Sequence, residues 1–144
     1  MREILFKART TKKHNEKHAF DNVWVEGDLI RSGGKYYIHT TGNKVNVDGE
    51  LGKIIVMHEI DPTTLCQYTG LVDKNGKRIW ENGILVEKHK GIVTMKYRVV
   101  FDLEEGAWML ETKSGARYGI GAVNQRNFEV CGNIFDDSEL LEVE

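Results

Sequence analysis

Two histidines four residues apart, in His14-Asn15-Glu16-Lys17-His18, have the first spacing in this chain that suits chemistry: on a helix both rings would share one face and a metal ion. The order is not the His-Glu-Xaa-Xaa-His of zinc proteases, and no third ligand lies close by. The surrounding stretch Arg9 to Asp21 is polar and has no sustained apolar face, so a solvated loop or frayed turn is the simpler reading. Asp73 and Glu81 flank a turn and would work as general acid and base if they met in space, although turn formation and surface placement account for both. Ser32 and Ser138 sit in turn or cap contexts with no histidine paired to either, and His39, His58 and His89 are isolated. Gly33-Gly34 leads into the strand-like Lys35-Tyr36-Tyr37-Ile38, whereas a phosphate cradle would open a helix. These residues nominate no catalytic group, metal or cofactor, and the expectation is a protein without enzymatic activity.

A binding surface is the second chemical option. Tyr36, Tyr37, His39 and Trp24, bordered by Arg31, Lys35 and Lys44, would offer nucleobases a stacking platform with a cationic rim. Arg2, Lys7, Arg9, Lys12 and Lys13 would add phosphate contacts from the basic start of the chain. Against this, aromatic residues on strands belong to cores more often than to stacking platforms. The whole chain also carries a formal charge of −2.

At 144 residues, with 40% hydrophobic content, the chain has the length and composition of one ordinary globular domain. No apolar run reaches the length of a spanning helix, and Met1 to Thr10 lacks the apolar centre of a secretory signal, so a cytoplasmic protein with no membrane partner is expected. Cys66 and Cys131 belong to no Cys-Xaa-Xaa-Cys or Cys/His cluster and read as free buried thiols rather than a disulfide. The start is basic, whereas Asp136, Asp137, Glu139, Glu142 and Glu144 make the end acidic, so the two ends would attract one another within or between chains.

The elements that would position these groups are short strands. Val23 to Val25, Leu29 to Arg31 and Lys35 to Thr40, separated by Glu26-Gly27-Asp28 and Ser32-Gly33-Gly34, predict a meander. Thr41-Gly42-Asn43 and Asp48-Gly49 are further turn signals, and Lys53 to Met57 has the composition of a buried strand closed by Pro62. Asn75-Gly76 lies between Tyr68 to Val72 and Lys77 to Trp80, and it tolerates the positive φ angles that a hairpin turn demands. Later strands are expected at Ile84 to Val86, Gly91 to Phe101, Ala107 to Glu111 and Phe128 to Val130. In the second of these, Val93, Met95, Tyr97 and Val99 would share an apolar face. Val23 to Ile30 faintly echoes Ile79 to Val86, and Asp136 to Leu141 suits one helical turn.

Gln67-Tyr68-Thr69-Gly70-Leu71, Asp73-Lys74-Asn75-Gly76-Lys77 and Ile79 to Val86, with Glu81 and Gly83, resemble the signature of the YopX family of bacteriophage and prophage proteins. Met1 to Ile4 with Phe6 to Ala8 at the start is similar too, as are Val130, Gly132 to Phe135 and Glu139 to Glu142 at the end, so the resemblance spans nearly the whole chain. One departure stands in Glu81-Asn82-Gly83-Ile84-Leu85, where the family pattern is Glu-Gly-Asp-Ile-Val. The resemblance implies a phage accessory protein in the cytoplasm of a bacterial host, without an established activity.

The fold expected is mainly β, of short antiparallel strands and little helix, with a small SH3-like barrel over Ile79 to Val130 and a β-sandwich as the alternative. The expected organisation is a single domain over 1–144 divisible into two lobes, 1–66 and 67–144. The function expected is a homo-oligomeric protein-interaction module with a phage or host protein as a further partner. A nucleic-acid-binding β-barrel is the alternative.

Overall fold

In the computed structural model, residues 2–11, 21–45, 48–121 and 127–142 are described. The chain divides into two compact units, Glu3–Gln67 and Tyr68–Glu144, the second also taking in Arg2.

The first unit is an antiparallel sheet built from strands β1 (Phe6–Arg9), β2 (Trp24–Ser32), β3 (Lys35–Val45) and β4 (Leu51–Glu59), with the start of β5 (Cys66–Val72) beside β1. The order is β4-β3-β2-β1-β5. Period-2 alternation sends Val25, Leu29 and Ile38 to one face, where they pack with Phe6, Ala8, Tyr36, Ile60 and Leu65. Pro62 opens a single turn of 3-10 helix, Pro62–Thr64, capped by the Asp61 carboxylate, which accepts from the Thr63 N–H at 3.0 Å.

Two expected turns in this unit are strand. Gly27 lies inside β2 rather than in a turn after Val25. Its backbone runs so close to β3 that a Cβ there would come 2.0 Å from the His39 carbonyl oxygen, so the glycine serves close approach rather than reversal. Likewise β3 continues through Gly42, whose backbone partner is Ile54. The chain reverses at the Gly33-Gly34 pair, with φ of 59° and 76°, and near Gly49, with φ of 80°. Lys53 to Met57 is strand as expected but not buried. It lies on β4, the last strand in the order, and Ile55 and Met57 are 71% and 48% exposed.

In the second unit, the rest of β5 pairs with β6 (Arg78–Trp80). A second antiparallel sheet follows: β7 (Gly83–His89), β8 (Ile92–Asp102), β9 (Ala107–Glu111), β10 (Arg117–Gly119) and β11 (Phe128–Asn133), in the order β10-β9-β8-β7-β11. One helical turn, α1 (Glu139–Glu142), follows. The core joins Ile79 to Leu85, Tyr97, Val99, Leu110, Ile120 and Phe128. A register shift between Glu87 and Lys88 sets Met95 opposite Glu87 but Val93 opposite Lys88. The bulge therefore turns Val93 away from the face shared by Met95, Tyr97 and Val99, breaking the alternation expected over Ile92 to Val99.

Among the described residues this sheet is open and no closed barrel forms. An SH3-like closure would require the last strand to pair with β10. The second edge of β11 is already used, because the Lys74 N–H donates to the Phe128 carbonyl at 3.3 Å and the Val130 N–H to an Asp73 carboxylate oxygen at 2.9 Å.

Candidate functional site

The motif from Gln67 to Gly83 is built around one buried carboxylate. Asp73 is 5% exposed, and its Oδ1 accepts from the Asn75 and Lys77 N–H groups at 2.8 and 2.9 Å, while Oδ2 accepts from the Val130 N–H at 2.9 Å. The first two bonds fold the chain back in an Asx turn, which Gly76 completes at φ 78°, its N–H donating to the Asp73 carbonyl at 3.0 Å. The third ties the hairpin to a strand 57 residues away in sequence. Thr69 works similarly within β5: its hydroxyl donates to the Ile79 carbonyl at 2.7 Å and accepts from the Leu71 N–H at 3.2 Å. These bonds occupy the register shift between Tyr68 and Val72, where Gly70 has φ 86°.

Around this centre the other motif residues fix geometry. The Tyr68 and Trp80 rings lie 5.5 Å apart, and the Arg78 guanidinium sits 5.3 Å from the Tyr68 ring. The Arg2 side chain passes over Gly70, where an added Cβ would meet it at 3.5 Å. Gln67 pairs with Phe6. Asn82, at the departure from the family pattern, adopts φ 62°, which suits asparagine, and its Oδ1 accepts from Nε and Nη2 of Arg98 at 3.3 and 2.9 Å. Gly83 follows where a Cβ would lie 2.9 Å from the Trp80 carbonyl oxygen. Glu81 is half-buried in the same turn.

Sequence reasoning missed Glu129, which braces this hairpin. Its carboxylate meets Lys88 Nζ at 2.5 Å, Lys74 Nζ at 3.4 Å and Asn75 Nδ2 at 3.3 Å. The hydrogen bond from Lys88, then that from Asn75, lowers the Glu129 pKa from an ordinary 4.5 to about 2. The signal for this partner was absent because β7, β11 and the hairpin converge only through the fold. A parallel case is Asp102, whose carboxylate accepts from the Glu105 and Glu104 N–H groups and from Arg117, the Glu105 bond doing most to lower its pKa.

The residues proposed to touch nucleic acid do not share one surface. Lys7 and Arg9 lie over Trp24, at 5.0 and 5.3 Å from the ring, on the sheet face that also carries Tyr37 and Lys35. Arg31 stacks on Tyr36 at 5.7 Å on the opposite face, which holds the core, because neighbouring β3 residues point opposite ways. On the first face the cations are interleaved with carboxylates: Glu26 is opposite Lys7, and Glu59 lies 3.5 Å from Lys35. His39 approaches Asp28 at 3.6 Å on that face, and the Thr40 hydroxyl lies 3.3 Å from His58 Nε2. Lys12, Lys13, His14, Lys17 and His18 lie outside the described residues, as does the Lys44 side chain.

Among the described residues no three His, Cys, Asp or Glu side chains gather as a metal site, and no helix is long and apolar enough to cross a membrane. Both cysteines are free thiols as expected, and Cys66 is buried, but Cys131 is exposed rather than buried, at the register shift of β11 between Val130 and Gly132. Desolvation of its sulfur raises the Cys131 pKa. In the second unit, Val93, Thr94, Met95, Lys96, Thr112 and Leu141 line an open groove of about 350 Å³.

The model of the YopX protein family matches residues 9–142. The chain belongs to the YopX family. A structural comparison agrees at the level of fold: the crystal structure of protein EF1440 from Enterococcus faecalis superposes with a TM-score of 0.58 at 20% identity, covering 96% of this chain and 98% of that one. A search of curated proteins finds no match.

Proposed function

We propose that this YopX-family chain is a phage or prophage accessory protein acting in the bacterial cytoplasm as a non-enzymatic, homo-oligomeric protein-interaction module. The observation that carries this reading is β4, a nine-residue strand at the end of its sheet, with Ile55 71% and Met57 48% exposed. A long apolar edge strand is costly to leave in water and ready to pair with another chain. The non-enzymatic part of this reading draws on Asp73, the most buried carboxylate of the motif, which holds three backbone N–H groups. A carboxylate so placed stabilises a turn and has no open path to a substrate.

Nucleic-acid binding through Lys7, Arg9 and Trp24 is the second reading, favoured by the two cations stacked on one aromatic ring. Light scattering across a salt series, with and without single-stranded and duplex DNA, separates the two. Association through strands persists at moderate salt, whereas phosphate contacts weaken steeply as counterions compete. A monomer at every concentration that grows in mass only on adding DNA would replace the first reading with the second. Robust turnover in a hydrolase, nuclease or transferase screen, abolished by one substitution, would overturn the non-enzymatic part.

A further inference from the structure

The backbone of β4 determines which of its groups face outward. Ile60 donates its N–H to the Tyr36 carbonyl at 3.0 Å, and β3 and β4 pair with Tyr37 opposite Glu59. Hydrogen-bonded pairs in an antiparallel ladder alternate, so His58, Val56, Ile54 and Gly52 turn their backbone groups toward β3. Glu59, Met57, Ile55, Lys53 and Leu51 turn theirs outward. The Glu59 carbonyl accordingly points outward, where it accepts from the Thr11 N–H at 3.0 Å. That bond, with the Thr10–Ile60 bridge beside it, closes the upper end of the edge. Below it, residues 51–57 carry a run of outward backbone groups that no strand among the described residues pairs.

We infer that this edge is completed by β4 of a second copy of the chain, antiparallel and centred on Ile54. The inference rests on the oligomeric reading above and names its partner and register. Thr11 sets the register. A twofold pairing centred on Ile55 would place the partner's Leu51 where Thr11 meets Glu59, and one centred on Val56 would place Lys53 there. Centring on Ile54 uses 51–57 in full and leaves Glu59 to Thr11. Leu51 then faces the partner's Met57 and Lys53 the partner's Ile55 as hydrogen-bonded pairs, while Ile54 meets the partner's Ile54 across the twofold axis as a non-hydrogen-bonded pair. The side chains suit it: Ile54, Ile55 and Met57 are 38%, 71% and 48% exposed in the single chain, and Lys53 is the only charged residue in the segment. No ion pair is formed that salt would break, and the Lys53 stem can cover the partner's Ile55 while its ammonium reaches water.

Two measurements on the full chain test this, both in a Cys131→Ser background that removes the exposed native thiol. In a non-hydrogen-bonded antiparallel pair the Cα atoms stand about 4.5 Å apart, within disulfide reach. Under mild oxidation Ile54→Cys is therefore expected to give a covalent dimer in high yield, and Ile55→Cys or Val56→Cys little. Separately, Ile55→Pro removes an outward N–H that makes no bond to β3, so it should leave the circular dichroism spectrum unchanged while weakening association by about tenfold or more in sedimentation. Preferential cross-linking at 55 or 56, or a folded Ile55→Pro that associates as the wild type does, would overturn this edge and register while the oligomeric reading stood. A wild-type chain monomeric at all concentrations would overturn both.

Discussion

The two units of this molecule are made of the same material, short antiparallel strands, but bury very different amounts of it. In the second unit, seven described residues from β6 to β11 form one buried cluster, including Tyr97 and Phe128 in an edge-to-face pair at 5.7 Å. In the first, the fully buried cluster is Ala8, Ile38 and Ile60, with half-buried side chains around it. The second unit is thus held by side-chain packing. The first depends on ladder hydrogen bonds and exposes apolar surface on β4, and it is where association is proposed.

Core truncation should show that contrast most strongly. Phe128→Ala is expected to cost about 3–5 kcal/mol, because a ring is removed from a well-packed cluster. Ile38→Ala should cost nearer to about 2 kcal/mol, the low end for such a change, since its thin surroundings can collapse. Urea melts of both variants check this, and equal losses would remove the distinction.

The two units also use glycine for different reasons. Gly27→Ala in β2 forces a Cβ against the His39 carbonyl, so β2 and β3 must separate, at the upper end of the about 1–3 kcal/mol that overpacking costs. Gly76→Ala meets no neighbouring atom and pays only for a left-handed φ of 78°, about 1–2 kcal/mol. Thermal unfolding should rank Gly27→Ala as the more damaging.

The smallest expected effect is electrostatic. Glu129 has a folded pKa of about 2 against an ordinary 4.5, so its contribution is fully present above pH 4.5 and is lost as pH falls through about 2. In the same window Glu129→Gln should be less stable than the wild type near neutrality and converge with it in acid. Denaturation midpoints at a series of pH values would show the convergence.

Much of the second unit was legible in the sequence, and the reasons are local. Asn75-Gly76 marked its hairpin, Ala107 to Glu111 marked β9, and Phe128 to Val130 marked the start of β11, because turn chemistry and alternation act over a few residues. The first unit read less well. Gly27 and Gly42 punctuate the sequence as turns do, yet they lie within strands, one of them where β3 comes too close for a side chain. The apolar run Lys53 to Met57 has the composition of a buried strand, but composition reports what a strand could bury and not where it stands in the sheet. At the candidate site, Asp73 was visible as a turn residue. Its bond to Val130 and the bracing by Glu129 depend on β11 reaching the hairpin, which no spacing announces.

The family motif uses its polar groups to hold the fold, and amide hydrogen exchange in Asp73→Ala reads this out at the bonds concerned. The wild type should protect the Asn75, Lys77 and Val130 amides, each bonded to that carboxylate. The variant should lose protection at all three together, with a fall in stability of about 1–3 kcal/mol or more for the buried N–H groups left unpaired. Unchanged protection at those amides would contradict the account and free Asp73 for another role.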